Sequence, residues 1–198
     1  MNDVLSANTA MPENAVTRWF GPHFSNLHPL LQALHRHGGT LHGIVHIDCG
    51  KGIGRWIGRR LARKLGMPTD AAQSDFVVEI RHEATHLHWH RRFGTGQEMV
   101  SIFAPVGIWP SGYWTEDTGA LQLRLTIDVV DGGWYWRPLG IRFTGIPLPL
   151  WLFPRAHAYK TVEDGRYRFA VEFTLPVIGR ILSYQGLLDA DVEGAHPK

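Results

Sequence analysis

One cysteine, Cys49, is present in 198 residues, which excludes an internal disulfide and permits a reducing compartment. No stretch approaches the roughly 18 uninterrupted apolar residues of a transmembrane helix. The opening residues MNDVLSANTAMPENAV lack the basic start and apolar run of a secretory signal. A bacterial-type cytoplasmic location is therefore the expectation, with peripheral membrane contact as an addition to it. Charge of one sign is scarce: the formal balance of +2 is too small to imply a nucleic-acid partner. Catalytic signatures are scarce too. No G-x-S-x-G elbow occurs, and Gly50, Gly52, Gly54 and Gly58 fail the spacing of phosphate-binding loops, so no cofactor is expected. Repeats, low-complexity tracts and internal linkers are missing. The chain reads as a flexible polar lead over 1–17 and a single domain over 18–190.

What is present is mostly strand. Leu27, Leu30, Leu31 and Leu34 have the one-sided spacing of a short helix near His28–Arg36, with Pro29 in its first turn and Gly38-Gly39 ending it. A strand over His42–Asp48 follows, then a second helix over Ile53–Leu65. From about Asp75 to Leu188 the pattern is strand after strand. Leu121, Leu123, Leu125 and Ile127 alternate with Gln122, Arg124, Thr126 and Asp128, and Asp131-Gly132-Gly133 and Asp164-Gly165 mark tight turns. Short connections favour antiparallel neighbours. A sheet of this length leaves two edges to protect unless it curls. The expected fold is mostly β (α+β): an antiparallel β-barrel or curled half-barrel with two helices from the N-terminal third, enclosing room for a small ligand.

The second helix carries six basic residues, Lys51, Arg55, Arg59, Arg60, Arg63 and Lys64, and no acid. Its apolar stripe is Ile53, Trp56, Ile57, Leu61 and Leu65. Two readings stand: the stripe packs on the sheet, or it sits at a lipid interface with the arginines reaching phosphates. His86, His88 and His90 share one strand face, where three alternate positions do not converge on one ion; a solvated face is expected and no metal site. A haem site requires one histidine inside the barrel, for which His46 and His157 are the candidates. Glu116, Arg142, His157 and Tyr159 supply an acid, base and clamp if they converge in a cavity, or tie the barrel structurally if they do not. The tryptophans read as core or cavity lining.

Several segments carry a family resemblance: FSNLHPLLQALH, GRWIGRRLARKLGMP, RRFGTG, VVDGGWYW and GIPLPLWLFPRAHAYKTVEDGRYRFAVEFTLPVIGRILSYQGLL. They resemble the bacterial family catalogued as domain of unknown function 4166, over about Phe20 to Leu188. His28 and Arg92 fit its pattern. Members of that family also stand behind short-chain or saccharopine-type oxidoreductase domains, and as a soluble end of YndJ-like membrane proteins. The resemblance implies a shared fold, and a stand-alone form of a module that accompanies enzymes and membrane domains. It brings no established activity and no catalytic residues.

The leading expectation is a module that holds a hydrophobic or amphipathic small molecule, such as a lipid, in the barrel. The basic helix gates entry and touches a membrane surface. Arg55, Trp56, Arg59, Arg92, Trp114, Trp136 and Tyr184 are the candidate ligand contacts. The alternatives are a cavity enzyme of isomerase or cyclase type, built on Glu116, Arg142, His157 and Tyr159, and an interaction domain docking an oxidoreductase or membrane partner.

Overall fold

The computed structural model describes residues 13–117 and 121–194. Helix α1 (Ala15–Phe20) begins where the chain supplies a cap. Asn14 Oδ1 accepts hydrogen bonds from the Val16 and Thr17 amides, and the Thr17 hydroxyl accepts one from the Asn14 amide. This reciprocal box satisfies amides that a helix start otherwise leaves open. Val16, Trp19 and Phe20 are buried. Residues 14–17, expected to belong to the polar lead, are instead the cap and first turn of this helix, because a buried apolar face follows the cap directly; residues 1–12 of that lead lie outside the described residues. Helix α2 (Pro29–His37) forms as its spacing predicts. His28 is its N-cap, with Nδ1 accepting from the Leu30 amide at 3.2 Å, and Gly38 closes it at φ 84°.

Strand β1 (Gly39–Asp48) leads to helix α3 (Gly52–Lys64), after which the chain is almost all strand. In order come β2 (Gln73–His82), β3 (Leu87–Phe93), β4 (Glu98–Val106), β5 (Tyr113–Asp117), β6 (Leu121–Val130) and β7 (Gly133–Phe143). The short β8 (Ile146–Leu148), then β9 (Arg155–Glu163), β10 (Arg166–Leu175) and β11 (Gly179–Val192) complete the chain. Every pairing is antiparallel, and sequence neighbours pair all the way round. β1 closes on β11, and β8 stands aside as a flap on β7. The result is a closed barrel of 10 strands. Closure resolves the choice between barrel and half-barrel, and it removes most of the exposed sheet edge. Register shifts at Arg124/Leu125 and Phe173/Thr174 bend the wall.

Antiparallel order gives the barrel two distinct ends. β1 starts at the end that α1 and α2 plug, where Trp19, Phe20, Leu31 and Leu34 pack with Trp114 and Trp134 in one core. β1 finishes at the opposite end, where α3, the β10–β11 turn and the β8 segment gather. There the wall is incomplete. β7 pairs with β9 only over Trp134–Trp136, and its lower part pairs instead with β8. The start of β9, from Arg155, therefore has a ladder partner only in β10. The segment between β8 and β9, with a 3-10 turn at Leu150–Leu152, fills the gap.

Helix α3 docks through its small residues. Its buried residues are Gly54, Gly58 and Ala62, lying against β11. A Cβ on Gly58 would come within 1.8 Å of the Ile181 carbonyl oxygen, so glycine lets the helix backbone touch the strand. Ile53 and Trp56 remain 68% and 65% exposed. The apolar stripe as a whole does not pack on the sheet, since the small residues already occupy that contact. Only Leu61 and Leu65 turn toward the barrel interior.

Candidate functional site

The barrel encloses a cavity of about 720 Å³. Its walls are inward residues of almost every strand, among them Leu41, Val78, Phe103, Leu125, Phe169 and Leu188. At the incomplete end it is bordered by Leu61 and Leu65 of α3, Leu150 and Trp151 of the gap-filling segment, and Pro176 of the β10–β11 turn. Trp151 is 74% exposed, so the cavity reaches solvent there. Ligand pockets are commonly apolar hollows of this size with a few polar groups.

The polar groups are few and lie deep. Strand alternation points Leu87, Trp89, Arg91 and Phe93 of β3 inward. Arg91 is 8% exposed, its Nη1 donates to Ser101 Oγ at 3.0 Å, and its guanidinium lies 5.0 Å from the Trp89 ring centre. Lys160, 1% exposed on β9, places its amine 3.6 Å from the ring centre of Trp134 and 4.3 Å from that of Trp89. Its Nζ is 2.6 Å from Nε2 of buried His35 on α2. Burial first, and the Arg91 charge second, push the Lys160 amine well below its ordinary pKa. Burial and then Lys160 hold the His35 ring well below its own. Behind them His82 donates through Nε2 to the Leu34 carbonyl at 3.1 Å, and burial lowers its pKa to about 4. Tyr167 and Tyr184 also line the cavity, and burial raises both phenols. Tyr167 Oη has no hydrogen-bond partner.

Of the residues singled out from sequence, Trp136, Tyr184 and Glu116 line the cavity. Trp114 is fully buried but belongs to the plugged end, against Trp19 and Trp136. Arg92 faces outward, with Nη1 2.7 Å from Glu79. Of these two adjacent arginines, the pleat turns Arg91 into the cavity and Arg92 out. Arg59 is held by the Thr69 carbonyl and Asp70, while Arg55 and Trp56 are exposed on α3, outside the cavity. The acid, base and clamp set is not assembled. Arg142 and His157 are exposed, and Tyr159 borders the cavity but stacks its ring on Tyr135 at 5.5 Å. His46 and His157, the haem candidates, both face solvent. On the outer face of β3, His88 lies 3.2 Å from Glu83 and His90 3.2 Å from Glu98. Among the described residues no three potential ligands gather around a metal position.

Sequence reading missed Arg91, Lys160, His35 and Tyr167. The alternation of β3 carried the signal for Arg91. Ala156-x-Ala158-x-Lys160, in register with apolar inward positions, carried it for Lys160. His35, on the leucine face of α2 beside Leu31 and Leu34, was equally legible.

The family model described as domain of unknown function (DUF4166) matches residues 27–188. The chain belongs to this family. The match to DUF4166 begins at the residue before the α2 cap and ends in β11, so it takes in all of the barrel except the end of that last strand. Helix α1 lies before it. No curated protein matches the chain. Among the described residues no helix is long and apolar enough to cross a membrane.

Proposed function

We propose that this DUF4166 barrel is a binding module for a hydrophobic or amphipathic small molecule, loaded from a membrane surface through its incomplete end. One observation carries the reading: a mainly apolar cavity of about 720 Å³ that reaches solvent beside exposed Trp151. A well-packed interior leaves few voids larger than a water molecule, so a hollow of this size in so small a domain calls for an occupant.

The surroundings of the mouth support the membrane route. Trp56, Ile53, Trp151, Leu152 and Val177 are exposed at this end of the barrel. Lys51, Arg55, Arg60, Arg63 and Lys64 of the adjoining helix have no carboxylate within 4.0 Å among the described residues. An apolar rim beside unpaired cations complements an anionic lipid surface. The gate in this reading is shared between α3 and the β8–β9 segment, rather than being the helix alone. The enzyme alternative retains only Glu116 and the edge of Tyr159 at the cavity, and a pure docking domain has no use for the hollow.

The test is uptake of the apolar probe N-phenyl-1-naphthylamine by delipidated protein, followed by fluorescence. Binding by the wild type, lost in Ala158→Trp, is the expected outcome, since Ala158 lines the cavity and a tryptophan there fills it. No binding by the delipidated wild type overturns the reading.

A further inference from the structure

Several outward arginines of the barrel wall find acids: Arg92 meets Glu79, Arg137 meets Asp128, and Arg166 meets Asp189, each at 2.7 Å. Buried Arg91 does not. Arg91 has no carboxylate within 4.0 Å among the described residues, and its Nη1 donates instead to the neutral Ser101 hydroxyl. The cavity's own carboxylate, Glu116, stands farther off than that ion-pair distance. A buried guanidinium with five N–H donors and no counter-charge is an incomplete arrangement. Its neighbourhood is incomplete in the same sense. Tyr167 Oη is buried, lines the same cavity and has no partner. Lys160 shares the Trp89 ring with Arg91, so two nitrogen bases flank one indole with no acid between them.

We infer that Arg91, with Ser101 and Tyr167, forms the head-group site for a monocarboxylate on an apolar chain, seated head first at the cavity floor. The inference rests on the proposed cavity-binding function and names its ligand class. A planar carboxylate matches the forked donors of one arginine and leaves a lone pair for a phenol. The apolar walls between this point and the mouth take the chain. The ligand therefore supplies the counter-charge that the fold withholds, and Arg91 is stabilised most in the loaded state.

The experiment is competition against N-phenyl-1-naphthylamine in delipidated protein, with laurate, dodecanol and dodecyl phosphate as competitors of one chain length. The wild type is expected to bind laurate at least tenfold more tightly than dodecanol. Arg91→Met should bring laurate down to the dodecanol level, so that the laurate-to-dodecanol ratio of affinities falls to about one. Tyr167→Phe, which keeps the ring, should weaken laurate several-fold and serves as the second variant if Arg91→Met does not fold. Equal displacement by laurate and dodecanol overturns the head-group site and leaves the cavity reading standing. Tighter, Arg91-dependent binding of dodecyl phosphate replaces carboxylate with phosphate and overturns the ligand class. Failure of the probe itself to bind overturns the cavity reading, and the head-group site falls with it.

Discussion

Lys160 Nζ lies 2.6 Å from His35 Nε2, which ties strand β9 to helix α2 across the barrel interior. The pair joins the plug to the wall at the point where the cavity ends. Burial favours the neutral form of each base, so the contact is a hydrogen bond between two groups that water would leave readily protonated. Trp89 and Trp134 flank the amine and set it on their faces.

Replacing Lys160 tests this directly. The unfolded chain holds the lysine proton up to about its ordinary 10.5, whereas the folded chain releases it earlier. Between those two values the unfolded state binds more protons, so wild-type stability rises with pH. Lys160→Met lacks that contribution. Urea melts at pH 7 to 10 should show the wild type gaining on the variant by up to ~1.4 kcal/mol per pH unit. Parallel profiles mean that the amine stays protonated in the fold.

His82 governs the acid side. Its folded pKa of about 4 lies below the ordinary 6.5, so its contribution is complete above 6.5 and is lost as pH falls toward 4. The full loss is on the order of 3 kcal/mol. Lys160 and His88 lie near it, and His35 packs against it at 5.6 Å between ring centres. His82→Gln keeps a donor for the Leu34 carbonyl and should flatten the decline of melting temperature from pH 6.5 to 4.

The barrel was legible because alternation and turn residues recur at short intervals, and because a meander that long has to protect its edges. Closure itself depends on β1 meeting β11, a contact across the whole chain that no local pattern encodes. The α3 contact was not legible from hydropathy, because the close approach is made by Gly54, Gly58 and Ala62, whose signal is small size. Arg91 and Arg92 show the limit at a site: adjacent identical residues differ only in pleat phase, which Leu87, Trp89 and Phe93 fixed. Lys160 was overlooked because a lysine is ordinarily placed in water, although its strand phase pointed inward.

Gly58 should tolerate no side chain. Gly58→Val drives a Cβ to 1.8 Å from the Ile181 carbonyl oxygen and 2.7 Å from that of Cys49. A loss of about 3 kcal/mol is expected in denaturant melts, or detachment of α3 with exposure of the cavity mouth. Gly140→Ala, where a Cβ meets nothing within 4 Å, should change stability by no more than about 0.5 kcal/mol.

Trp56 is largely exposed, and the proposed membrane route assigns it to the lipid interface. Trp56→Glu should leave the melting temperature unchanged while sharply reducing cosedimentation with vesicles rich in phosphatidylglycerol. Arg60→Glu with Arg63→Glu should act in the same direction, more strongly at low salt. Equal sedimentation of wild type and variants removes α3 from the membrane reading.

The central claim is that an apolar chain lies inside the barrel. Intermolecular NOEs between dodecanol and methyl-labelled protein locate the chain without reliance on its head group. Contacts to the methyls of Leu41, Val78, Leu125 and Leu188, which line the cavity, are the predicted result. Contacts confined to exposed Ile53, Leu152 and Val177, or none at all, contradict it.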